Sequence, residues 1–177
     1  MTAWTEFIRP VAVLLVICLI AGVLLSGANA LTAPTIAVNE AAAVSAAYFS
    51  ALPEADAFTA LDCSIAGVTA VMQADNGAGY VIAAQARGYG GMVPAAVAFS
   101  PEGVITNVVM MDNDETPGMG SKVSDEAFLE NFIGREAVPL ELQDIDAVTG
   151  ATISSRAALG AVNLAVEAFQ TVTGGGN

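Results

Sequence analysis

Histidine is absent from this sequence, cysteine occurs twice, and lysine and arginine together number five against 18 acids, giving a formal net charge of −13. Without histidine there is no serine–histidine or cysteine–histidine catalysis, no histidine-ligated haem, and little prospect of zinc, copper or non-haem iron ligation. Cys18 lies inside an apolar run and Cys63 stands far from it, so iron–sulfur ligation and an intrachain disulfide are both excluded as expectations. Scarce positive charge excludes nucleic acid as a partner, because phosphate-backbone affinity comes from clustered Lys and Arg. A redox function in such a chain needs an organic cofactor, and no metal site is expected.

One long stretch also lacks charge altogether. No Asp, Glu, Lys or Arg occurs from Pro10 to Asn39, and Val11–Leu25 is continuous in apolar or small residues. At about 1.5 Å per residue, such a run is long enough to cross a hydrocarbon layer as a tilted helix. Trp4 would sit in the interface. Arg9 precedes the run and the chain after it is acidic, which predicts a cytoplasmic N-terminus and an extracytoplasmic domain. Ala28-Asn29-Ala30 has the small-x-small form of a signal cleavage site; both alternatives export the domain, and the length of the uncharged run favours a retained anchor. The expected organisation is a transmembrane anchor over residues 1–31 and one domain over 32–177, large enough for a core of its own.

Within the domain, Ala33–Leu52 reads as an alanine-rich helix ended by Pro53. The period then shortens. Gly67–Ala74 and Gly79–Ala86 flank Asp75-Asn76-Gly77, and Pro94–Ser100 and Val104–Met111 flank Pro101-Glu102-Gly103, predicting about four strands in an antiparallel meander. Ser124–Gly134 has an N-cap serine, early acids and a terminal glycine, and predicts a short amphipathic helix. Ala158, Val162, Ala165, Val166 and Phe169 share one face of a helix from Ser154 to about Val172, before the glycines at 174–176. The fold class expected is α+β: an antiparallel sheet meander flanked by helices and preceded by one transmembrane helix.

Three polar, glycine-bearing stretches stand out. Thr149-Gly150-Ala151-Thr152-Ile153-Ser154-Ser155 precedes the last helix; its hydroxyls suit capping, and the same helix end suits a phosphate, with small neighbours leaving Thr152 open to a bulky group. Asp112–Lys122 reads either as a turn-rich loop or as a backbone surface for a flat ligand, with Glu115, Thr116 and Met119 as contacts. Arg87–Val93 sets Tyr89 among three glycines, either as a bulge or turn between hairpins or as an aromatic lining a planar ligand.

Together these residues resemble the FMN-binding domain family, found in the G subunit of Rnf ion-translocating ferredoxin:NAD oxidoreductases and the C subunit of sodium-pumping NADH:quinone oxidoreductases. The family's attachment pattern D-x-x-[ST]-G-A-[ST]-x-[ST] is met by Asp146, Thr149, Gly150, Ala151, Thr152 and Ser154, its E-T-P-G-x-G loop by Glu115, Thr116, Pro117, Gly118 and Gly120, and its G-Y-x-G element by Gly88, Tyr89 and Gly91. The resemblance covers nearly the whole chain and looks most like the Rnf G subunit. It implies FMN joined to Thr152 by a phosphoester, with the other motif residues and Tyr89 around it. A flavin transferase that uses FAD would install the group after export. The implied setting is a single-pass subunit of a multi-subunit redox complex in the cytoplasmic membrane. Lys122, the cation nearest the E-T-P-G loop in sequence, is expected near the flavin or its phosphate.

Overall fold

The computed structural model describes residues 2–174, without the side chains of residues 2–7; the Trp4 side chain and the tail glycines 175 and 176 lie outside the described residues. Helix α1 runs over Thr2–Ala51, through Pro10 and Pro34. From Ile8 it is long and apolar enough to cross a membrane. Internal packing divides the chain into Met1–Ala43 and Val44–Asn177.

In the second unit, the helix stops at Ala51 just ahead of Pro53, whose ring disfavours helical geometry in the residue before it. Five strands follow: β1 (Phe58–Leu61), β2 (Val68–Ala74), β3 (Tyr80–Arg87), β4 (Met92–Phe99) and β5 (Ile105–Met110). They form one sheet in the order β1-β2-β3-β4-β5, with every neighbouring pair antiparallel. The meander is as expected but has five strands, not four. Edge strand β1 escapes a reading by period because FTAL is four residues long with an uneven burial pattern; pairing with β2 defines it.

Both sheet faces are covered, which is why β3 and β4 read as nearly unbroken apolar runs. On one face Ile82, Ala84, Val93, Ala95, Val97 and Phe99 pack with Ala158, Val162, Ala165, Val166 and Phe169 of helix α3 (Thr152–Gly174). The Phe169 ring stacks on Phe99 at 4.7 Å and meets Tyr80 edge-on at 5.5 Å. On the other face Val81, Ala83, Ala96 and Ala98 pack with Tyr48, Ala51 and Leu52. The buried stripe on α3 is the one its periodicity predicts, although the helix begins at Thr152, two residues before Ser154.

The helix expected over Ser124–Gly134 is largely absent. A 3-10 turn occupies Gly120–Ser124, and only Glu126–Leu129 (α2) is α-helical. Asp125, not Ser124, takes the N-cap position, and its side chain makes no capping bond. Phe128 and Phe132 are both buried, as the apolar spacing requires. Beyond Leu129 the backbone closes three-residue turns, Asn131 N–H to the Phe128 carbonyl at 3.3 Å and Phe132 N–H to that of Leu129 at 3.0 Å, and side chains compete for the same region: Asn131 Nδ2 donates to the Phe128 carbonyl at 2.8 Å and Arg135 Nε to that of Asn131 at 2.6 Å. Such local competition breaks helices that apolar spacing alone would predict. A second 3-10 turn, Leu142–Asp144, lies in the irregular segment leading to α3.

Candidate functional site

The three polar stretches meet at Glu115. This residue lies in the loop after β5, and its side chain turns inward, only 5% exposed. Gly90 N–H, in the four-residue turn between β3 and β4, donates to its Oε1 at 3.0 Å. The Ser154 hydroxyl, in the first turn of α3, donates to its Oε2. Burial pushes the carboxyl upward, but the Ser154 hydroxyl and the N–H groups of Gly90, Tyr89 and Gly91 outweigh it, holding Glu115 below the usual carboxylate range. Its backbone is held too: Asn113 Oδ1 accepts from Glu115 N–H at 3.3 Å while Asn113 Nδ2 donates to the Met111 carbonyl at 3.1 Å.

This close approach requires glycine. A Cβ on Gly120 would stand 2.7 Å from Glu115 Oε2 and 2.8 Å from Ser154 Oγ, and one on Gly90 would run into the Asp114 carbonyl. The spacing of the E-T-P-G-x-G and G-Y-x-G elements therefore has a packing cause: backbone crosses backbone around one carboxylate.

At the start of α3, Gly150 takes φ +83°, a conformation side chains disfavour. Ala151, in the cap position, has no hydroxyl to offer the helix. Ser155 Oγ accepts from Val148 N–H at 3.0 Å and donates to the Ala151 carbonyl at 3.0 Å, so it locks the preceding turn rather than the first-turn N–H groups. That first turn contains no acid to offset the positive helix end. Ser154 and Ser155 are buried, whereas Thr152 is exposed. Of the hydroxyls in the first turn of α3, the one at Thr152 is exposed, and a helix N-terminus of this kind suits a phosphate ester.

The other expected site residues take different places. Thr116, Pro117 and Gly118 are exposed, and the Thr116 carbonyl accepts from Met119 and Ser121 N–H at 3.1 and 3.2 Å, closing a tight loop. The exposed Met119 sulfur lies 4.0 Å from where a Cβ on Gly150 would stand, so this loop borders the attachment motif. Tyr89 is 70% exposed at the tip of its turn. Asp146 and Thr149 are exposed, as is Lys122 on its 3-10 turn. Glu115 differs most from a surface contact: it lies beneath the loops it joins. Asn131 joins the site from outside the three stretches; its Oδ1 accepts from Asp146 N–H at 2.8 Å and fixes the entrance to the motif. Ser155 is signalled by its place in the hydroxyl cluster, but Asn131 carries no local signal.

Residues 88–167, which hold the three stretches except Arg87, match the FMN-binding domain family. That match spans the β3–β4 turn, the loop after β5 and most of α3, the segments that form the site. The chain is also similar to the G subunits of ion-translocating oxidoreductase complexes. It is 29% identical over 169 residues to the G subunit of the proton-translocating ferredoxin:NAD(+) oxidoreductase complex of Clostridium ljungdahlii, covering 92% of this chain and 91% of that one. With the G subunit of the Na(+)-translocating ferredoxin:NAD(+) oxidoreductase complex of Acetobacterium woodii it shares 33% identity over 97 residues, 49% of this chain and 46% of the relative. Among solved structures, NqrC of Shewanella oneidensis is similar at TM-score 0.51 and 25% identity, over 73% of this chain and 72% of that one. The C subunit of the Na(+)-translocating NADH-quinone reductase of Parabacteroides distasonis has the same TM-score, 0.51, at 18% identity over 62% and 63% of the two chains, a likeness of fold.

Proposed function

We propose that this chain is the G-type subunit of an Rnf-type ion-translocating ferredoxin:NAD oxidoreductase, an electron-transfer subunit with FMN linked to Thr152 by a phosphoester. The observation that carries the linkage is the division among the hydroxyls in the first turn of α3: Ser154 and Ser155 are buried and engaged, and Thr152 is exposed. Bound FMN supplies the electron-carrying chemistry that a chain without histidine or paired cysteines lacks. The protein's part is to hold and orient it. N–H groups at the start of α3 stabilise the phosphate by about 0.3–1 kcal/mol through the helix end alone. Tyr89 and Met119, both exposed around the motif, offer apolar surface to a planar ring. The covalent bond keeps the cofactor on an exported domain.

Attachment consumes FAD. The Thr152 oxygen forms a bond to the phosphorus of the FMN half, the pyrophosphate bond breaks, AMP leaves, and the hydroxyl proton passes to a base of the flavin transferase or to water. Assembly then places the chain among the other subunits of the complex, anchored by α1 with its N-terminus in the cytoplasm and the flavin domain outside. Likeness to NqrC supports a second reading, the equivalent subunit of a sodium-pumping NADH:quinone oxidoreductase, with the same attachment. A stand-alone membrane-anchored flavoprotein is the alternative if no polytopic partners co-purify.

Expression with a flavin transferase followed by denaturing electrophoresis tests the linkage. The expected result is a band fluorescent under ultraviolet light, one added FMN on the peptide containing Thr152, and a dark Thr152→Ala variant. Unmodified Thr152 in matured protein, or a Thr152→Ala band as bright as wild type, overturns it.

A further inference from the structure

Modification of Thr152 leaves a role to be found for the buried carboxylate behind it. We propose that Glu115 is a positioning residue for flavin attachment: by tying the Gly88–Gly91 turn to Ser154, it holds the first turn of α3 so that the Thr152 hydroxyl faces the incoming phosphoryl group. The inference rests on the Thr152 reading and assigns Glu115 no contact with the flavin.

The geometry follows from helix period. Residues two apart on a helix with 3.6 residues per turn point about 200° away from each other, so drawing Ser154 inward turns Thr152 outward. That division is observed: Ser154 is 3% exposed and bonded to Glu115 Oε2, and Thr152 is on the surface. The other oxygen, Oε1, is anchored by Gly90 N–H at 3.0 Å. Ser154 is therefore referenced to the β3–β4 turn as well as to its own helix.

A carboxylate is suited to this post because it only accepts hydrogen bonds, and both partners donate. An amide of equal size cannot replace it without cost. Its NH₂ must face either Gly90 N–H, where two donors oppose each other, or the Ser154 hydroxyl, which must then reverse its bond. The surroundings leave little slack for such a rearrangement, since a Cβ at position 120 would already stand 2.7 Å from Oε2. In the transfer from FAD, the Thr152 oxygen must approach in line with the pyrophosphate bond that breaks, and small misplacements of a reacting atom cost up to about 10²-fold in rate.

The test uses the full-length apoprotein in detergent, purified flavin transferase and FAD, following the initial rate of covalent flavin incorporation. Glu115→Gln and Ser154→Ala are compared with wild type and with Phe169→Leu, a core variant on α3 more than four turns from Thr152. The expected result is a fall in kcat of about tenfold or more for Glu115→Gln and Ser154→Ala, little change in KM for the apoprotein, and a wild-type rate for folded Phe169→Leu even where its thermal stability falls as far. Wild-type rates in both site variants, or losses that follow thermal stability equally in all three, overturn the proposal. If Glu115→Gln does not fold, Ser154→Ala decides alone, because it deletes the bond while the Glu115 carboxylate keeps its Gly90 N–H donor. A wild-type chain that incorporates no flavin, or incorporates it away from Thr152, overturns the Thr152 reading itself, and this proposal with it.

Discussion

Thr152 and Ser154 have the same functional group and opposite surroundings, and that difference separates a surface hydroxyl from a structural one. Local sequence places both in the motif and marks Thr152 as the one open to a bulky group, but gives no sign that Ser154 is drawn inward to a carboxylate. Glu115 makes the point more strongly. Its side chain reads as a polar contact offered to a ligand, yet it is buried under the loops and holds them together. Hydrogen bonds to a charged acceptor contribute about 1.5–3 kcal/mol, so Glu115→Gln is expected to lower stability by an amount in that range near neutral pH. The sign of its pH dependence follows from the downward shift. A carboxyl held below its unfolded value contributes stability above the ordinary carboxylate range, and that contribution is lost as pH falls through the folded value. Thermal melts of wild type and Glu115→Gln from pH 7 to pH 3 are expected to differ by a constant amount near neutrality and to converge in acid. A gap that persists or widens toward pH 3 contradicts this assignment.

Between residue and fold, the turns decide what the site can be. The β3–β4 connection brings Gly90 against the loop after β5, so Gly90→Ala drives a methyl into the Asp114 carbonyl. It is expected to destabilise the chain by at least about 1–3 kcal/mol, the usual range for overpacking, and to reduce flavin incorporation, measured by melting and in-gel fluorescence. Gly150→Ala is a milder change for stability. Its Cβ finds only the Met119 sulfur at 4.0 Å, leaving the positive φ as the main cost, about 1–2 kcal/mol, and a thermal shift that small is the expected outcome in a melt. Strands and helix ends were legible where local chemistry is decisive: Asn76-Gly77 and Glu102-Gly103 turns, Pro53 after α1, and the buried stripe of α3. They were illegible where a partner decides. Strand β1 exists by pairing with β2, and the 124–134 segment loses its helix to the side chains of Asn131 and Arg135.

At the scale of the whole chain, a helix uncharged from Pro10 to Asn39 precedes a strongly acidic domain. Insertion with Arg9 on the cytoplasmic side requires that domain to be exported. A reporter enzyme active only outside the cytoplasm, fused at the C-terminus, is expected to be active; activity of a cytoplasm-restricted reporter instead would reverse the topology. The apolar run, the acidic balance, the alternating strand periods and the three glycine-bearing motifs are properties of local order along the chain, and they determined the apolar N-terminal helix, the α+β class and the resemblance to FMN-binding domains. Tertiary structure alone decided that residues 88–91, 113–120 and 150–155 converge on one carboxylate, and that Ser154 is drawn inward to it. The physical reason is distance along the chain: Glu115 is 25 residues from Gly90 and 39 from Ser154, and contacts across such separations are set by how the sheet and α3 pack, which no local pattern encodes.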